Sequence, residues 1–322
     1  MRERLWAGVG SGIAAGALWG LVFLAPQVLA GFSPLQLSAS RYLAYGAVAA
    51  LVLAPRWRAA TGTLGAAEWW ALLRLSLLGN IVYYVLLGCA VQWAGGPATA
   101  LIIGLLPVTV TVFGARAAGA MRLRRLAAPC ALCVAGVALV AAQTLGSAPH
   151  AHGGVGTRAA GLACASGALA CWTAYSLRNA RWLSQRPDIS GSDWSLLTGV
   201  VTGTLALALA IPAFAFDATA HAAADWARFW GMAMLLAVFA SVIGSACWNR
   251  ASRLLPPTLV GQMLVFETVF ALLYGFVWET RWPTLLEAAA IACLLGGVLW
   301  CTWLHAPPGA DRRRGPGLRH GA

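Results

Sequence analysis

Residues 257–278 read PTLVGQMLVFETVFALLYGFVW, and Glu267 is the single charged side chain in this run. As an α-helix, a run of this length spans the roughly 30 Å hydrocarbon core of a bilayer. Similar apolar runs occur at residues 5–28, 35–54, 69–91, 98–118, 126–144, 159–177, 196–216, 229–248 and 285–303. The sequence therefore predicts an all-α, polytopic membrane protein with ten transmembrane helices.

The composition leaves no room for a large soluble domain. The chain has 322 residues, of which 60% are apolar and 10% are charged, and its mean hydropathy is +0.74. Soluble domains carry about 25% charged residues, so this chain could not cover a soluble surface of its size. We attribute the net charge of +12 to arginines in membrane-protein loops and expect no nucleic-acid partner.

All 22 basic residues are arginines, and their positions indicate how the chain crosses the membrane. With the N-terminus inside, sixteen arginines lie in cytoplasmic segments, three lie outside, and Arg41, Arg74 and Arg116 lie within helices. The positive-inside rule then predicts that both termini are cytoplasmic, which agrees with ten crossings. The cytoplasmic set is Arg2, Arg4, Arg56, Arg58, Arg122, Arg124, Arg125, Arg178, Arg181, Arg186, Arg250, Arg253, Arg312, Arg313, Arg314 and Arg319, and the outer set is Arg158, Arg228 and Arg281.

Identities between the two halves indicate an internal duplication. Each repeat would hold five helices, an odd number, so the second repeat must enter the membrane from the opposite face. Inverted repeats are typical of transporters that alternate access around a site near the midplane. The predicted division is a first repeat at residues 5–145, an outer linker at 146–157, a second repeat at 158–305 and a disordered cytoplasmic tail at 306–322. A shift of 161 residues places Val108, Gly114, Ala131, Gly136 and Val137 on Val269, Gly275, Ala292, Gly297 and Val298, and a shift of 153 places Trp19 on Trp172.

Glu267 is the strongest candidate for a functional residue. It lies about 10 residues from either end of its run, and therefore roughly 15 Å from each membrane surface. A carboxylate at that depth is costly when it faces lipid, so we expect it to face the bundle interior. It is either a substrate or proton site, or a structural carboxylate bonded to a neighbouring helix. Gln262, Thr268 and Tyr274 on the same helix are weaker candidates for substrate contact.

Other polar residues lie within the predicted helices. Arg41 either snorkels to the outer surface or pairs inside with a carboxylate or an anionic substrate group, whereas Arg74 and Arg116 are expected to snorkel. Asn80 lies near Tyr83 in the middle of the third helix. It is either a hydrogen-bonding link between helices or part of a cavity wall.

Sixteen tryptophans are present, and most lie near predicted helix ends, as in the interfacial aromatic belt of membrane proteins. Trp19 and Trp172 instead lie within helices one and six, at positions related by the repeat. With Tyr175 they either line an aromatic cavity for a cation or a flat ring, or simply pack together. The belt residues are Trp57, Trp69, Trp70, Trp93, Trp182, Trp194, Trp226, Trp230, Trp278, Trp282, Trp300 and Trp303.

Proline and glycine positions predict two features of the backbone. Pro107 lies in the middle of the fourth run, where it removes a hydrogen bond and bends the helix, either beside a substrate path or as a packing kink. Gly12, Gly16 and Gly20 have the GxxxG spacing that lets two helices approach closely.

Motifs of other function classes are absent from the sequence. There is no Walker A, HExxH or GxSxG motif, so we expect neither an ATP motor nor an enzyme. Cys130 and Cys133 have CxxC spacing on an apolar helix, and we interpret them as packing residues. His150 and His152 in an outer loop are a weak hint of metal binding. We expect no cofactor and no resident metal.

Both halves resemble the EamA domain of the drug/metabolite transporter superfamily over residues 5–305. Residues 247–256 (CWNRASRLLP), 266–268 (FET) and 278–281 (WETR) are similar to the WN-x-A-x-x-x-LP, E-P and G-E-R motifs of helices eight and nine. In the first half, residues 17–20 (ALWG), Ser33 and Pro34 with Arg41, and Pro107 resemble the family pattern. The segments at 79–84 (GNIVYY), 177–183 (LRNARWL) and 265–268 (VFET) are similar to the YtfF-type subgroup of bacterial inner-membrane proteins.

The resemblance implies a secondary carrier of the bacterial inner membrane, often an exporter of amino acids or related compounds, that works without ATP. It implies a central cavity among helices one, three, four, six, eight and nine. The single deep carboxylate, Glu267, makes the proton a candidate coupling ion. A non-transporting membrane module that binds lipid or acts as a scaffold is the alternative. Thr268 departs from the family pattern, which has proline there, and so argues against a kink in helix nine. The implied substrate contacts are Trp19, Tyr83, Trp172, Tyr175, Asn249 and Glu267, with Pro107 nearby.

Overall fold

The chain folds as a bundle of long α-helices. The computed structural model describes residues 2–29, 31–94, 99, 102–115, 121–147, 155–215 and 221–305, and every regular element in this part is a helix. Eight of the helices labelled below, all except α4 and α5, are long and apolar enough over their described residues to cross a membrane. The helices are α1 (Glu3–Phe23), α2 (Leu35–Thr61), α3 (Ala66–Val91), α4 (Leu106–Gly114), α5 (Leu123–Ser147), α6 (Gly156–Gln185), α7 (Gly191–Ala215), α8 (Ala223–Leu254), α9 (Pro257–Trp278) and α10 (Leu285–His305).

The predicted class, all-α and membrane-spanning, is confirmed, with eight candidate spans among the described residues. Residues 100–101 and 116–120, which flank α4 and include Arg116, lie outside the described residues, as do the side chains of residues 140–147 in α5. Most of the predicted linker, with His150 and His152, and the whole of the predicted tail at 306–322 also lie outside them.

The start of α2 shows how local sequence sets a helix boundary. Ser33 accepts a hydrogen bond from the Gln36 amide at 3.2 Å, and the Gln36 side chain accepts one from the Ser33 amide at 2.9 Å. This reciprocal capping box satisfies two amides that the first turn would otherwise leave unpaired. Pro34 follows the cap, where its missing N–H costs nothing.

The glycine stripe of α1 packs directly against the backbone of α9. A Cβ atom on Gly12 would lie 2.6 Å from the Met263 side chain, and one on Gly16 would lie 2.6 Å from Phe266 Cβ and 2.9 Å from the Glu267 nitrogen. The absence of these Cβ atoms is what lets the two helices touch. The close helix contact predicted from the GxxxG spacing is therefore present, and it lies beside Glu267.

Two further helix crossings also depend on glycine. α2 and α7 cross at Gly46 and Gly203, where a Cβ on either residue would lie within 2.6 Å of the other residue's Cα. α5 and α10 cross where Gly136 faces Leu294 and Gly297 faces Cys133. α3 packs along α6, and α4 packs along α9. Each of these pairs joins a helix of the first half to one of the second.

The arginine-rich loops converge at one end of the bundle. Arg56, after α2, forms an ion pair with Asp193 of α7 at 3.0 Å. Arg186, after α6, forms ion pairs with Glu68 at the start of α3 and with Asp188. The hydrogen bond from the Arg186 guanidinium holds the pKa of Asp188 below its usual range. The loops after α2 and α6, both predicted to be cytoplasmic by their charge, therefore lie at the same end.

Tryptophan exposure follows the predicted belt with one clear exception. Trp70 and Trp282 are 57% and 91% exposed, as expected for side chains that face lipid or the interface. Trp194 is 2% exposed, and its Nε1 donates to Asn179 Oδ1 at 2.9 Å. Its assignment to the belt was wrong, because its ring stacks on Trp182 of α6 with centroids 6.1 Å apart and α7 packs against α2 and α8.

Candidate functional site

The centre of the bundle contains two π-helical turns, at Leu77–Ile81 in α3 and at Ala237–Gly244 in α8. An aromatic ring covers a glycine of each turn: Tyr175 of α6 lies over Gly79, and Trp19 of α1 lies over Gly244. Such turns widen the helix, leave backbone groups available for other partners and are frequent at functional sites. The two turns therefore mark this region as the candidate site.

An aromatic cluster fills one side of this region. Trp19 and Trp172 meet edge to face with ring centroids 5.9 Å apart, and Trp248 lies 5.3 Å from Trp19 and 5.7 Å from Trp172. Tyr175 lies 5.6 Å from Trp172. Trp19 Nε1 donates to the carbonyl of Ala240 in the π turn of α8 at 2.9 Å. The cluster thus ties α1, α6 and α8 together, and the predicted proximity of Trp19, Trp172 and Tyr175 is present in the structure.

Arg41 occupies the other side and points inward. Arg41 is 8% exposed. Its Nε donates to Ser241 Oγ at 3.1 Å, and its Nη1 donates to the Tyr84 hydroxyl. The guanidinium also lies 5.5 Å from the centroids of the Tyr42 and Tyr84 rings. Arg41 therefore points into the bundle and does not snorkel to the outer surface. Ser241 directly follows Ala240, so the π turn of α8 contacts both sides of the site.

Glu267 lies within electrostatic range of Arg41 and of Tyr83 on α3. Its carboxylate forms no direct ion pair with Arg41 and no hydrogen bond with any described residue. Residues 257–263 and 265–278 form separate helical segments on either side of Leu264, so Glu267 lies in the first turn of the second segment. The positive end of the helix dipole there favours a carboxylate deep in the bundle.

α9 is therefore discontinuous although Thr268 replaces the proline of the family pattern. The Leu264 and Glu267 amides bond to carbonyls three residues earlier, Gly261 and Leu264, at 3.3 and 3.1 Å. These tighter turns satisfy both amides without a proline, so the threonine at position 268 does not prevent the break in α9. α4 begins after a turn at residues 104–105, and Pro107 lies in its first turn rather than in a helix interior.

Several polar candidates serve as links between helices. Gln262 is fully buried, donates to Thr111 of α4 at 2.9 Å and accepts from Cys133 of α5 at 3.2 Å. Asn80 donates to Thr202 of α7 at 3.0 Å, so it forms a hydrogen-bonding link between helices, as one of its two interpretations predicted. The Tyr274 hydroxyl donates to a carbonyl of α1. These side chains are engaged by the protein itself.

Asn249 lies in a separate hydrogen-bonded group at the arginine-rich end of α8. Its Oδ1 accepts from Asn179 of α6 at 2.8 Å, and its Nδ2 donates to the Gly191 carbonyl at the start of α7 at 3.0 Å. The structure thus brings Trp19, Trp172 and Tyr175 together, and it places Asn249 with the loop between α6 and α7. A role for Asn249 in substrate contact stays a prediction.

Trp248, Ser241 and Tyr84 belong to the site and were not predicted from the sequence. Trp248 is 1% exposed although it ends an apolar run, because α8 continues to Leu254 and carries it inside the bundle. Ser241 and Tyr84 became candidates only through their bonds to Arg41. The available signals were the position of Tyr84 beside Tyr83 in the YtfF-type segment and that of Trp248 in the segment at 247–256 that resembles the WN motif.

A cavity of about 450 Å³ opens beside the site, between α4 and α6. Thr173 and Ala174, which lie in its wall, are the neighbours of Trp172 and Tyr175 along α6. Thr173 meets Thr109 of α4 at 2.9 Å. The cavity thus adjoins the helix face opposite to the aromatic cluster. Its lining residues are Thr109, Phe113, Ser166, Leu169, Ala170, Thr173, Ala174, Leu177 and Arg178.

Together these features define a polytopic α-helical membrane protein with a charged and aromatic centre. A solved crystal structure has the same fold, with a TM-score of 0.73, 20% identity, and coverage of 96% of this chain and 99% of that chain. The inner membrane protein YtfF of Escherichia coli (strain K12) is 33% identical over 308 residues, which is 91% of this chain and 94% of the relative. This chain therefore belongs to the family of the inner membrane protein YtfF.

A comparison with models of known protein families gave no match. The relationship to YtfF confirms the YtfF-type resemblance and a multi-pass location in the inner membrane. The EamA assignment, and with it the transport function, stays a prediction.

Proposed function

We propose that this chain is a secondary transporter of the inner membrane that exports a small metabolite, such as an amino acid or a related compound, by alternating access without ATP. The observation that carries the proposal is the relation between Arg41 and Glu267. The Arg41 guanidinium and the Glu267 carboxyl group lie within electrostatic range of each other inside the bundle, and they form no direct ion pair. Unpaired charges at such depth are costly, so a purely structural pair would be expected to close into contact.

Two opposite charges held apart suit a substrate that carries both charges. Arg41 uses Nε and Nη1 for Ser241 and Tyr84, while its Nη2 makes no hydrogen bond to a described residue and can bind a substrate carboxylate. Glu267 would bind the ammonium group, or exchange a proton when the substrate is absent. Trp19 and its aromatic neighbours would contact the remainder of the molecule through their rings. An α-amino acid or a related zwitterion fits this arrangement.

The proposed architecture is ten helices in two inverted repeats, at residues 5–145 and 158–305. The crossing of α5 and α10 supports it. Gly136 packs on the Ala290 carbonyl of α10, and Gly297 packs on the Pro129 carbonyl of α5. A shift of 161 residues converts the first contact into the second, as expected when a two-fold axis in the membrane plane relates the repeats.

The irregular helices support the same arrangement. A turn at residues 104–105 separates α4 from the helical residues 102–103, and α9 is interrupted at Leu264. α3 and α8 contain π turns at Leu77–Ile81 and Ala237–Gly244. Each feature of the first half thus has a counterpart in the second. Discontinuous helices in corresponding positions of two repeats are characteristic of substrate sites in secondary transporters.

The test is export from proteoliposomes and from cells, measured by mass spectrometry of the external medium. We compare the wild type with Glu267→Gln and with Glu3→Gln, whose carboxylate is exposed at the end of α1. We expect the wild type and Glu3→Gln to release the same zwitterionic metabolite, and Glu267→Gln to release at least tenfold less at equal membrane abundance. The substitution removes the charge but keeps the shape of the side chain.

Two results would count against the proposal. Full export by Glu267→Gln would remove Glu267 from the mechanism. A folded wild type that exchanges no metabolite from a broad pool would exclude transport and would favour the alternative, a lipid-binding or scaffold module.

A further inference from the structure

A second cavity of about 450 Å³ lies at the arginine-rich end of the bundle, apart from the candidate site. It is open on one side and is bordered by residues just before and at the start of α5, by the turn before α9 and by the end of α10. Half of its lining residues are basic or titratable, and the other half are apolar. The lining residues are Met121, Arg122, Arg125, Pro256, Leu304 and His305.

Arg122 and Arg125 supply the charge of this cavity. The Arg125 amide donates to the Arg122 carbonyl at 2.9 Å, so a single turn separates the two residues and places both side chains on one face. Arg124, which lies between them in the sequence, does not line the cavity. Neither Arg122 nor Arg125 forms an ion pair with a described residue.

Among the described residues, no acidic side chain at this end is left to pair with the two arginines. Glu68 and Asp188 are bound by Arg186, and Asp193 is bound by Arg56. The one other described carboxylate at this end, Glu3, does not line the cavity. Two exposed guanidinium groups without an ion-pair partner among the described residues therefore border the cavity, and both can donate charge-assisted hydrogen bonds to one anion.

The remaining walls indicate the rest of the occupant. His305 is fixed by contacts of its Nε2 with Thr258 and of its Nδ1 with the Cys301 carbonyl, both at 2.8 Å, so it forms a wall. Met121, Pro256 and Leu304 add apolar surface. A small inorganic anion would leave this surface uncovered, whereas a molecule with a phosphate and an apolar part would cover it.

We propose that this cavity binds the phosphate of an anionic phospholipid headgroup, with Arg122 and Arg125 on the phosphate oxygens and the apolar wall against the glycerol backbone. Basic pockets between helices at the cytoplasmic side are suited to such headgroups. Pro256 immediately precedes α9, so the bound lipid would contact the base of the helix that carries Glu267.

The test is native mass spectrometry of the full chain in micelles with added phosphatidylglycerol or phosphatidylcholine. The variant is the double substitution Arg122→Gln with Arg125→Gln, and Arg124→Gln is the matched control on the same turn. We expect the double variant to retain at least fivefold less phosphatidylglycerol than the wild type, and Arg124→Gln to stay within twofold of the wild type. Phosphatidylcholine binding should be equal in all three. The single variants Arg122→Gln and Arg125→Gln replace the double variant if it is not monodisperse.

Equal retention of phosphatidylglycerol by the double variant and by Arg124→Gln would overturn the proposal. A competition arm identifies the source of the phosphate. Displacement of phosphatidylglycerol by low millimolar glycerol 3-phosphate would overturn the lipid assignment in favour of a soluble phosphate, and retention would support the lipid. Because the readout is bound lipid, the result does not depend on whether the chain transports a metabolite.

Discussion

The contact between α1 and α9 at Gly16 gives a sharp test of the packing around Glu267. A Cβ on Gly16 would lie 2.6 Å from Phe266 Cβ and 2.9 Å from the Glu267 nitrogen, whereas ordinary contacts begin at 3.4 Å. Both close atoms belong to the backbone or to its first side-chain atom, so no rotamer change can relieve the clash. In Gly16→Ala the two helices must separate by about 0.8 Å at this point.

The expected cost follows from overpacking of a tight interface, about 1–3 kcal/mol. Gly10→Ala is the matched control, since it lies on the same helix and its Cβ would meet no atom within 4 Å. By helix propensity alone, Gly10→Ala should gain up to about 1 kcal/mol. The two variants have the same chemistry, so the difference between them isolates the helix contact.

The assay is unfolding in mixed micelles by sodium dodecyl sulfate, followed by the fluorescence of the tryptophans. Gly16→Ala should unfold at a lower detergent fraction than the wild type, and Gly10→Ala at an equal or higher one. If transport is established, Gly16→Ala should also reduce it, because the shift displaces the Glu267 backbone. Equal stability of the two variants would refute the close contact of α1 with α9.

Two other perturbations have outcomes that the structure predicts. Trp19→Phe removes the donor to the Ala240 carbonyl and leaves a buried acceptor unpaired. It should lower the free energy of unfolding by about 1–3 kcal/mol in the same assay. Trp70→Phe, at an exposed site, should lower it by less than about 0.5 kcal/mol. The Arg186 guanidinium lowers the pKa of Asp188 in the folded protein. The pair therefore stabilises the fold fully above the usual aspartate pKa of about 3.9. This contribution is lost as the pH falls through the lowered pKa of the folded state. Acid titration of the unfolding midpoint should therefore flatten at its low-pH end in Arg186→Gln, and an unchanged profile would contradict the coupling.

The helices could be predicted from the sequence because lipid imposes one constraint on every residue of a span. A run of apolar residues long enough to cross is sufficient evidence for a helix, since no other open structure satisfies its backbone in lipid. The depth of Glu267 and the pairing of Trp19 with Trp172 followed from position within such runs. The GxxxG contact of α1 followed from spacing alone.

The irregular features could not be predicted in this way because they depend on partners far along the chain. The π turn of α8 has no signal in the hydropathy pattern. Its partners are the side chains of Trp19 and Arg41, which donate hydrogen bonds to Ala240 and Ser241. The inward orientation of Arg41 likewise depends on a hydroxyl 200 residues away. Hydropathy also ends α8 too early, because the last turns are polar and yet remain helical, and this concealed Trp248.

The ion pairs at the two ends of the bundle bear on the conformational state. At the arginine-rich end, Arg56 with Asp193 and Arg186 with Glu68 each join the first half to the second. At the opposite end, the ion pairs among the described residues are formed by Arg281 with Glu279 in the same loop and with Glu287 in the first turn of α10, so both lie within the second half. Solvent-accessible pairs of this kind contribute about 0–1 kcal/mol each, so the halves are tied at one end by contacts that a modest binding energy can break. For the proposed transporter, this asymmetry would correspond to a state closed toward the arginine-rich side.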